Sequence, residues 1–334
     1  MLFSTTLISG IVITISSNSW LGAWMGLEIN LLSFIPIMSN SNNILTTEAS
    51  LKYFLIQTLS SVVLLFNIIM NSMMTHSFLM MNSSLSFMIM MFPLLMKSGI
   101  APFHWWFPKV MEGLSWNNCL TLMTVQKLSP LILISYIIKP TMFLNFIVIM
   151  STIIGSIGGF NQISMRKILT YSSINHLGWV LSAMTISENM WMMYFTIYSF
   201  MTMSIIMIVK PYQVSFINQI LFLENDKPMI KSAILLLILS LGGLPPFMGF
   251  FPKWMIIQSL SSNNMIMMIM VMVVTSLITL FYYLRICYSS FMILHSETPW
   301  NNFNFKKDVN TFSLIMLTST SLLGLTIMNV FNLY

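Results

Sequence analysis

Charge is scarce in this chain of 334 residues. Only 7% of the residues are Asp, Glu, Lys or Arg, whereas 57% are hydrophobic, and the mean hydropathy is +0.84. A water-soluble domain carries about a quarter of its residues as charged side chains. This chain could not cover a surface exposed to water, so we expect most of its length to lie in a lipid bilayer.

Cysteine is also scarce, and the motifs of redox and nucleotide chemistry are missing. Cys119 and Cys287 form no CxxC pair and no metal-ligand spacing. The sequence contains no Walker A motif, dinucleotide fingerprint, haem-attachment motif or nucleophile elbow. The 14 basic residues are scattered, which argues against nucleic acid as a partner, and the 35 methionines are spread evenly, as flexible apolar filler is. The sequence therefore predicts no cofactor and no metal on this chain.

Hydropathy and helix-breaking residues divide the chain into about eleven segments, each long enough for one membrane crossing. They lie near 2–17, 20–38, 50–71, 86–111, 116–138, 141–160, 166–184, 188–210, 229–258, 264–288 and 312–332. We expect most to be continuous helices, because backbone polar groups in lipid must be satisfied internally. The fourth and ninth contain Ala101-Pro102 and Pro245-Pro246, which predict broken helices. The predicted fold class is all-α integral membrane, with one polytopic domain over 1–334.

One motif occurs twice, at a constant spacing of 144 residues (243 − 99 and 253 − 109). Its members are Gly99, Pro102, Phe103, Phe107, Pro108 and Lys109, which recur as Gly243, Pro246, Phe247, Phe251, Pro252 and Lys253. Interrupted apolar segments in corresponding halves indicate an ion or substrate pathway. The first repeat would cover about 2–138 and the second about 141–288, followed by a final helix near 312–332. An odd number of crossings separates the copies, which predicts an inverted repeat.

Basic residues predict the orientation of the chain. Those at segment ends on the side of the amino terminus are Lys52, Lys109, Arg166, Lys167, Lys210, Lys227, Lys231, Arg285, Lys306 and Lys307. Lys139 alone lies clearly on the opposite side. The positive-inside rule therefore puts Met1 inside and Tyr334 outside. The first segment has no features of a cleavable signal or transit peptide, so we expect it to be a transmembrane helix that the mature protein keeps.

Five ionisable residues lie within apolar segments, namely Glu28, Lys97, Lys127, His176 and Lys253. A charge at membrane depth costs several kcal/mol, so such residues commonly mark proton relays. Burial favours the neutral form of a side chain and an opposite charge favours the ionised form, so a Glu–Lys pair exchanges a proton when a nearby charge changes. Structural ion pairs, and an interhelical hydrogen bond for His176, remain open as alternatives. Lys109, near a helix end, is expected to be an interfacial anchor.

Four stretches of the sequence resemble the antiporter-like subunits of respiratory complex I, the mitochondrial NADH:ubiquinone reductase, in an insect-like form. They are 97–109, 241–253, 18–30 and 172–179. In that family the residues matching Glu28, Lys97, Lys127 and Lys253 form a central hydrophilic axis for proton translocation, and His176 matches a further proposed member. The resemblance implies that Glu28 and Lys97 form a coupled entry pair, Lys127 a central relay and Lys253 an exit-side group.

The resemblance also implies a location and partners. The chain would lie in the mitochondrial inner membrane among other membrane subunits of complex I and lipids, with its amino terminus in the matrix and its carboxyl terminus in the intermembrane space. NADH, FMN, iron–sulfur clusters and ubiquinone would be bound by other subunits. Two alternatives remain: a free-standing cation/proton antiporter, and a passive assembly subunit whose charges form structural ion pairs.

Overall fold

The computed structural model describes residues 2–40, 42–76, 83–221 and 228–292, with 316, 318–322 and 324 near the carboxyl terminus. Almost all of these residues are helical. The chain forms two compact units, Met1–Met150 and Ser151–Tyr334. Their boundary lies within ten or so residues of the one expected between the two sequence repeats. The expectation of a single polytopic domain stays a prediction.

The first unit is an assembly of apolar helices. In chain order they are α1 (Leu2–Ser16), α2 (Trp20–Met38), α3 (Ile44–His76), α4 (Ser83–Ser98), α5 (Trp106–Gly113), α6 (Trp116–Met123), α7 (Val125–Ile137) and the first half of α8 (Met142–Phe160). Helices α1 and α2 approach closely through glycine, since a Cβ on Gly26 would lie 2.6 Å from Cγ2 of Thr14. Small residues are what permit such contacts between membrane helices.

The second unit surrounds one buried helix. It contains the rest of α8, followed by α9 (Met165–Met184), α10 (Glu188–Tyr212), α11 (Ile217–Leu221), α12 (Pro228–Gly242), α13 (Phe250–Ser262) and α14 (Ile266–Met292). Helix α9 is buried along nearly its whole length and contacts α10, α13 and α14. Gly155 of α8 also packs on it, because a Cβ there would lie 2.5 Å from the backbone nitrogen of Asn175.

Several helices have the length and composition of membrane spans. Six segments qualify within the described residues, namely Trp20–Met38, Ile44–Met73, Trp116–Ile137, Met142–Phe160, Glu188–Tyr212 and Ile266–Tyr288. Helix α9 falls outside this set because serine, asparagine and histidine lower its hydropathy, and protein rather than lipid surrounds it. The count of eleven crossings stays a prediction, and the last segment, 312–332, lies largely outside the described residues.

Both sequence motifs interrupt helices, as predicted. Helix α4 ends at Ser98 and α5 begins at Trp106, while α12 ends at Gly242 and α13 begins at Phe250. Each interruption opens on a glycine with positive φ, +72° at Gly99 and +80° at Gly243. That conformation ends many helices and strongly favours glycine, which has no Cβ to clash. The repeated glycine therefore has a direct backbone role.

Two sequence expectations need correction. The fifth segment, expected to be continuous over 116–138, is interrupted at Thr124, where α6 meets α7 with φ −115° and ψ −72°. Thr124 donates its hydroxyl to the carbonyl of Leu120 at 2.8 Å, a back-bond that bends helices, and Pro130 leaves the carbonyl of Gln126 without its helical donor. The third helix is also longer than the expected 50–71, since it begins at Ile44.

Candidate functional site

The three lysines predicted to lie inside the membrane are buried, and each adjoins an interrupted helix. Their exposed fractions are 8% for Lys97, 2% for Lys127 and 6% for Lys253. Lys97 lies in the last turn of α4, Lys127 is the third residue of α7, and Lys253 is the fourth residue of α13. An interrupted helix has backbone groups without intrahelical partners. These groups provide polar surroundings that a continuous membrane helix lacks.

Lys253 makes the most explicit contact of the three. Its Nζ donates a hydrogen bond of 2.9 Å to the carbonyl oxygen of Gly242, the last residue of α12. The carboxyl end of a helix carries partial negative charge, so this position stabilises an ammonium group. Lys253 therefore holds the end of the helix that precedes its own.

Glu28 and Lys97 interact electrostatically in the first unit. Glu28 is half-buried in α2, and its carboxylate attracts the ammonium of Lys97. The Oε2 atom of Glu28 is buried and has no hydrogen-bond partner among the described residues. Gln57 of α3 donates to the backbone carbonyl of Lys97 at 3.3 Å, which ties that end of α4 in place. The coupling of the two residues in a relay stays a prediction.

Lys127 lies over an aromatic ring that the first sequence motif supplies. Its Nζ is 4.4 Å from the centroid of the Phe107 ring. A desolvated cation–π contact of this kind contributes about 2 kcal/mol. Gly99 adjoins the same residue, since a Cβ there would lie 3.5 Å from Cβ of Phe107, at ordinary van der Waals distance. The break in the first repeat therefore shapes the surroundings of Lys127.

A polar network beside these residues was missed at the level of sequence. The hydroxyl of Tyr53 donates to Oε1 of Gln126 at 3.4 Å, and Nε2 of Gln126 donates to Oδ1 of Asn30 at 3.0 Å. Nδ2 of Asn30 then donates to Oγ of Ser129 at 3.4 Å. The sequence does contain an indication of this network, because polar amide residues stand next to two of the predicted ionisable residues. Asn30 lies two residues after Glu28 in α2, and Gln126 directly precedes Lys127 in α7.

His176 lies in a second polar cluster, on the buried helix α9. Its Nδ1 is hydrogen-bonded to the hydroxyl of Tyr194 on α10 at 2.7 Å, and the centroid of its ring is 5.1 Å from that of Tyr198. The interhelical hydrogen bond expected as one alternative is present. Glu28, Lys97 and Lys127 belong to the first unit, and His176 and Lys253 belong to the second.

Lys109 is exposed, and its role as an interfacial anchor stays a prediction. It occupies the motif position equivalent to Lys253, yet its side chain is exposed on α5. The described residues also contain no group of three or more His, Cys, Asp or Glu side chains that could hold a metal ion. The candidate site consists of buried ionisable and hydroxyl-bearing side chains at interrupted helices.

Comparison with known proteins identifies the family. Residues 17–279 match the family model described as NADH:quinone oxidoreductase/Mrp antiporter, transmembrane. The chain belongs to this family. Among curated relatives of this antiporter family, NADH-ubiquinone oxidoreductase chain 2 of Anopheles gambiae is 51% identical over 318 residues, which cover 94% of this chain and 92% of the mosquito protein. The protein of the same name from Locusta migratoria is 44% identical, covering 97% of this chain and 94% of the locust protein.

A solved structure shares the fold of this antiporter-family chain. A chain of respiratory complex I from Thermus thermophilus superposes with a TM-score of 0.83 at 23% identity, covering 98% of this chain and 78% of that one. At that identity the likeness concerns the fold. Together with the high identity to the insect relatives, it agrees with the resemblance noted from the motifs around Lys97 and Lys253.

Proposed function

We propose that this chain is a proton-translocating membrane subunit of a mitochondrial NADH:ubiquinone oxidoreductase. The insect relatives that bear this enzyme's name match nearly the whole chain. The observation that carries the proposal is the burial of Lys97, Lys127 and Lys253, each at an interrupted helix. Three such residues are costly in a membrane protein that only needs to pack, whereas a proton relay requires them.

The first step of the proposed relay uses the coupling of Glu28 and Lys97. The ionised carboxylate stabilises the ammonium of Lys97. When Glu28 takes up a proton, its negative charge disappears and that stabilisation is lost, so Lys97 releases a proton more readily. Helix α4, which carries Lys97, contacts α7, which carries Lys127, so Lys127 is the proposed acceptor.

The later steps use two different devices for holding a proton. At Lys127 the face of the Phe107 ring attracts the ammonium. In the second unit, the carbonyl of Gly242 accepts from Lys253, and His176 adds a group that both accepts and donates. We assign Lys127 the central role and Lys253, with His176, the exit side.

The wider setting belongs to the same proposal. The electron transfer from NADH to ubiquinone would occur on other subunits, which would bind FMN and iron–sulfur clusters, and no redox group would be held by this chain. The chain would cross the inner membrane about eleven times as an inverted repeat, with its amino terminus in the matrix. Support comes from the basic residues at segment ends and from the two equivalent breaks at Gly99 and Gly243.

Substitution of the first-unit lysines tests the proposal. In the assembled complex, Lys97→Met and Lys127→Met should each lower the number of protons translocated per NADH oxidised, because methionine fills the same space without accepting a proton. Lys139→Met, which removes an exposed lysine after α7, is the matched control and should pump normally. Normal pumping by both buried-lysine variants, at normal assembly, would leave a passive subunit. Ion exchange by the isolated chain would instead indicate a free-standing antiporter.

A further inference from the structure

Four buried tyrosines lie in the second unit, and two of them, Tyr194 and Tyr198, lie beside His176. Tyr194 and Tyr198 come from α10, and Tyr282 and Tyr283 come from α14, with exposed fractions of 1–4%. Burial of a hydroxyl costs free energy unless it finds a partner, and phenylalanine would fill the same space without that cost. Four such residues in one cluster therefore indicate a use for the hydroxyl groups.

The cluster forms a string of neighbouring polar groups that starts at His176. The ring of Tyr198 lies beside that of His176, and its hydroxyl faces the side chain of Ser173. The hydroxyl of Tyr283 in turn faces Ser172, one residue before Ser173 on α9.

The far end of the string reaches the helix end that Lys253 holds. A Cβ on Gly242 would lie 3.2 Å from Cδ2 of Tyr283, so this ring packs directly on the backbone of Gly242. The carbonyl of the same residue accepts the hydrogen bond from Nζ of Lys253. The Tyr283 ring thus adjoins the helix end that Lys253 holds, while the Tyr198 ring adjoins His176.

The hydrogen bonds within the cluster leave acceptors available. Ser172 donates to the carbonyl of Leu169 and Ser173 donates to that of Thr170, each in its own helix. Each serine oxygen keeps lone pairs to receive a tyrosine proton. The buried hydroxyls of Tyr282 and Tyr283 complete no hydrogen bond of normal geometry with the described residues. Buried hydroxyl groups without a protein partner normally form hydrogen bonds with ordered water molecules.

We propose that Tyr198 and Tyr283, with Ser172 and Ser173, carry protons between His176 and Lys253. A hydroxyl accepts a proton on its oxygen while giving its own proton to the next acceptor, so no bond is changed permanently and no oxidant or reductant is needed. The inference rests on the proposed proton-translocating function. It adds residues that are not themselves charged to the route through the second unit.

Phenylalanine substitutions in the assembled complex test this route. Tyr283→Phe and Tyr198→Phe keep the rings and remove only the hydroxyls, so assembly should be preserved. We expect each variant to oxidise NADH with a reduced number of protons translocated, falling toward the level of Lys253→Met. Tyr212→Phe is the matched control: it is another buried tyrosine of α10, about 21 Å further along the helix, and should pump normally.

The outcomes separate this inference from the function on which it rests. If Lys253→Met impairs pumping while both tyrosine variants pump normally, the hydroxyl route is wrong and the proposed function stands. If Lys253→Met, Lys97→Met and Lys127→Met also pump normally, both fail. The double variant Tyr283→Phe/Lys253→Met should pump no less than Lys253→Met alone, because one route is interrupted twice. A lower proton yield in the double variant than in Lys253→Met would instead assign Tyr283 to a separate route. If the Tyr283→Phe variant does not assemble, the proton yield of Tyr198→Phe alone tests the hydroxyl route.

Discussion

Lysines at equivalent motif positions have different surroundings in the two copies. In the second copy, Lys253 is buried and caps the carbonyl of Gly242. In the first copy, Trp106 caps the preceding helix, since its Nε1 donates to the carbonyl of Met96 at 3.1 Å. The residue 144 positions after Trp106 is Phe250, which has no donor. The carbonyl equivalent to that of Gly242 belongs to Ser98, two residues beyond the one that Trp106 bonds, and the side chain of Lys109 is exposed.

This difference predicts different effects from one substitution at the two positions. Lys253→Met should reduce protons translocated per NADH by the assembled complex and should also destabilise the end of α12, because the Gly242 carbonyl loses its partner; a buried unsatisfied acceptor costs about 1–3 kcal/mol. Lys109→Met should leave pumping unchanged. The two variants are compared by proton uptake in vesicles at equal complex content. Equal losses in both would show that burial does not distinguish the two lysines.

At the scale of elements, interrupted helices are what bring charge into the apolar interior. The breaks after Gly99 and Gly243 and the one at Thr124 each lie near one buried lysine. Backbone groups released at a break need polar partners, and the lysines or aromatic N–H groups nearby supply them. At the second break Lys253 satisfies the carbonyl of Gly242, and the motif glycines fix where the breaks occur.

Gly243→Ala tests the backbone role of the break. At φ +80° a Cβ is strained by about 1–2 kcal/mol, and it would lie 3.0 Å from Nζ of Lys253. We expect a lower thermal midpoint of the assembled complex together with reduced pumping, as Lys253 is displaced from Gly242. Gly22→Ala in α2 is the control. Its added Cβ meets only the side chains of Ser17 and Ser19, at 3.1 and 3.3 Å, and alanine favours helix.

If Gly243→Ala keeps both the midpoint and the pumping of the unmodified complex, the positive φ at Gly243 has no functional weight. If the midpoint falls while pumping per NADH is retained, the break supports folding only and Lys253 works without it.

At the scale of the whole molecule, the proposed topology makes an experimental prediction about the ends of α8. This helix of 19 residues is about 28 Å long, close to the thickness of the bilayer core, and follows exposed Lys139 and precedes exposed Asn161. Both native cysteines are buried. Lys139→Cys should therefore react with a membrane-impermeant maleimide from the intermembrane space, and Asn161→Cys only from the matrix.

Mitoplasts, which lack the outer membrane, expose the intermembrane-space face to the reagent. Inverted inner-membrane vesicles expose the matrix face. Reaction of both cysteines from the same face would contradict the crossing by α8. Reaction of each from the opposite face would reverse the orientation derived from the basic residues.

Much of the helical framework was predictable because its signals are local. The apolar runs anticipated α1, α2, α8 and α10 within a few residues, and the glycine–proline motif anticipated two breaks. The break at Thr124 was not predicted, because threonine hydroxyls also bond to backbone carbonyls within continuous helices, so a threonine in the sequence does not indicate a break. Tyr194 was missed as the hydrogen-bond partner of His176 for another reason: the two residues lie on different helices, and nothing local in the sequence indicates that their side chains meet.

The medium, the family and the residue types of the proposed relay could be inferred from the sequence alone, because composition and motif spacing are properties of the chain. Only the tertiary structure decided that Lys253 caps Gly242 while Lys109 faces outward, and that His176 bonds Tyr194. A side chain's surroundings depend on which helices pack against it, and packing joins residues that the sequence separates. The scarcity of charged residues predicted a membrane protein, and the fold determines which groups the few charged side chains contact.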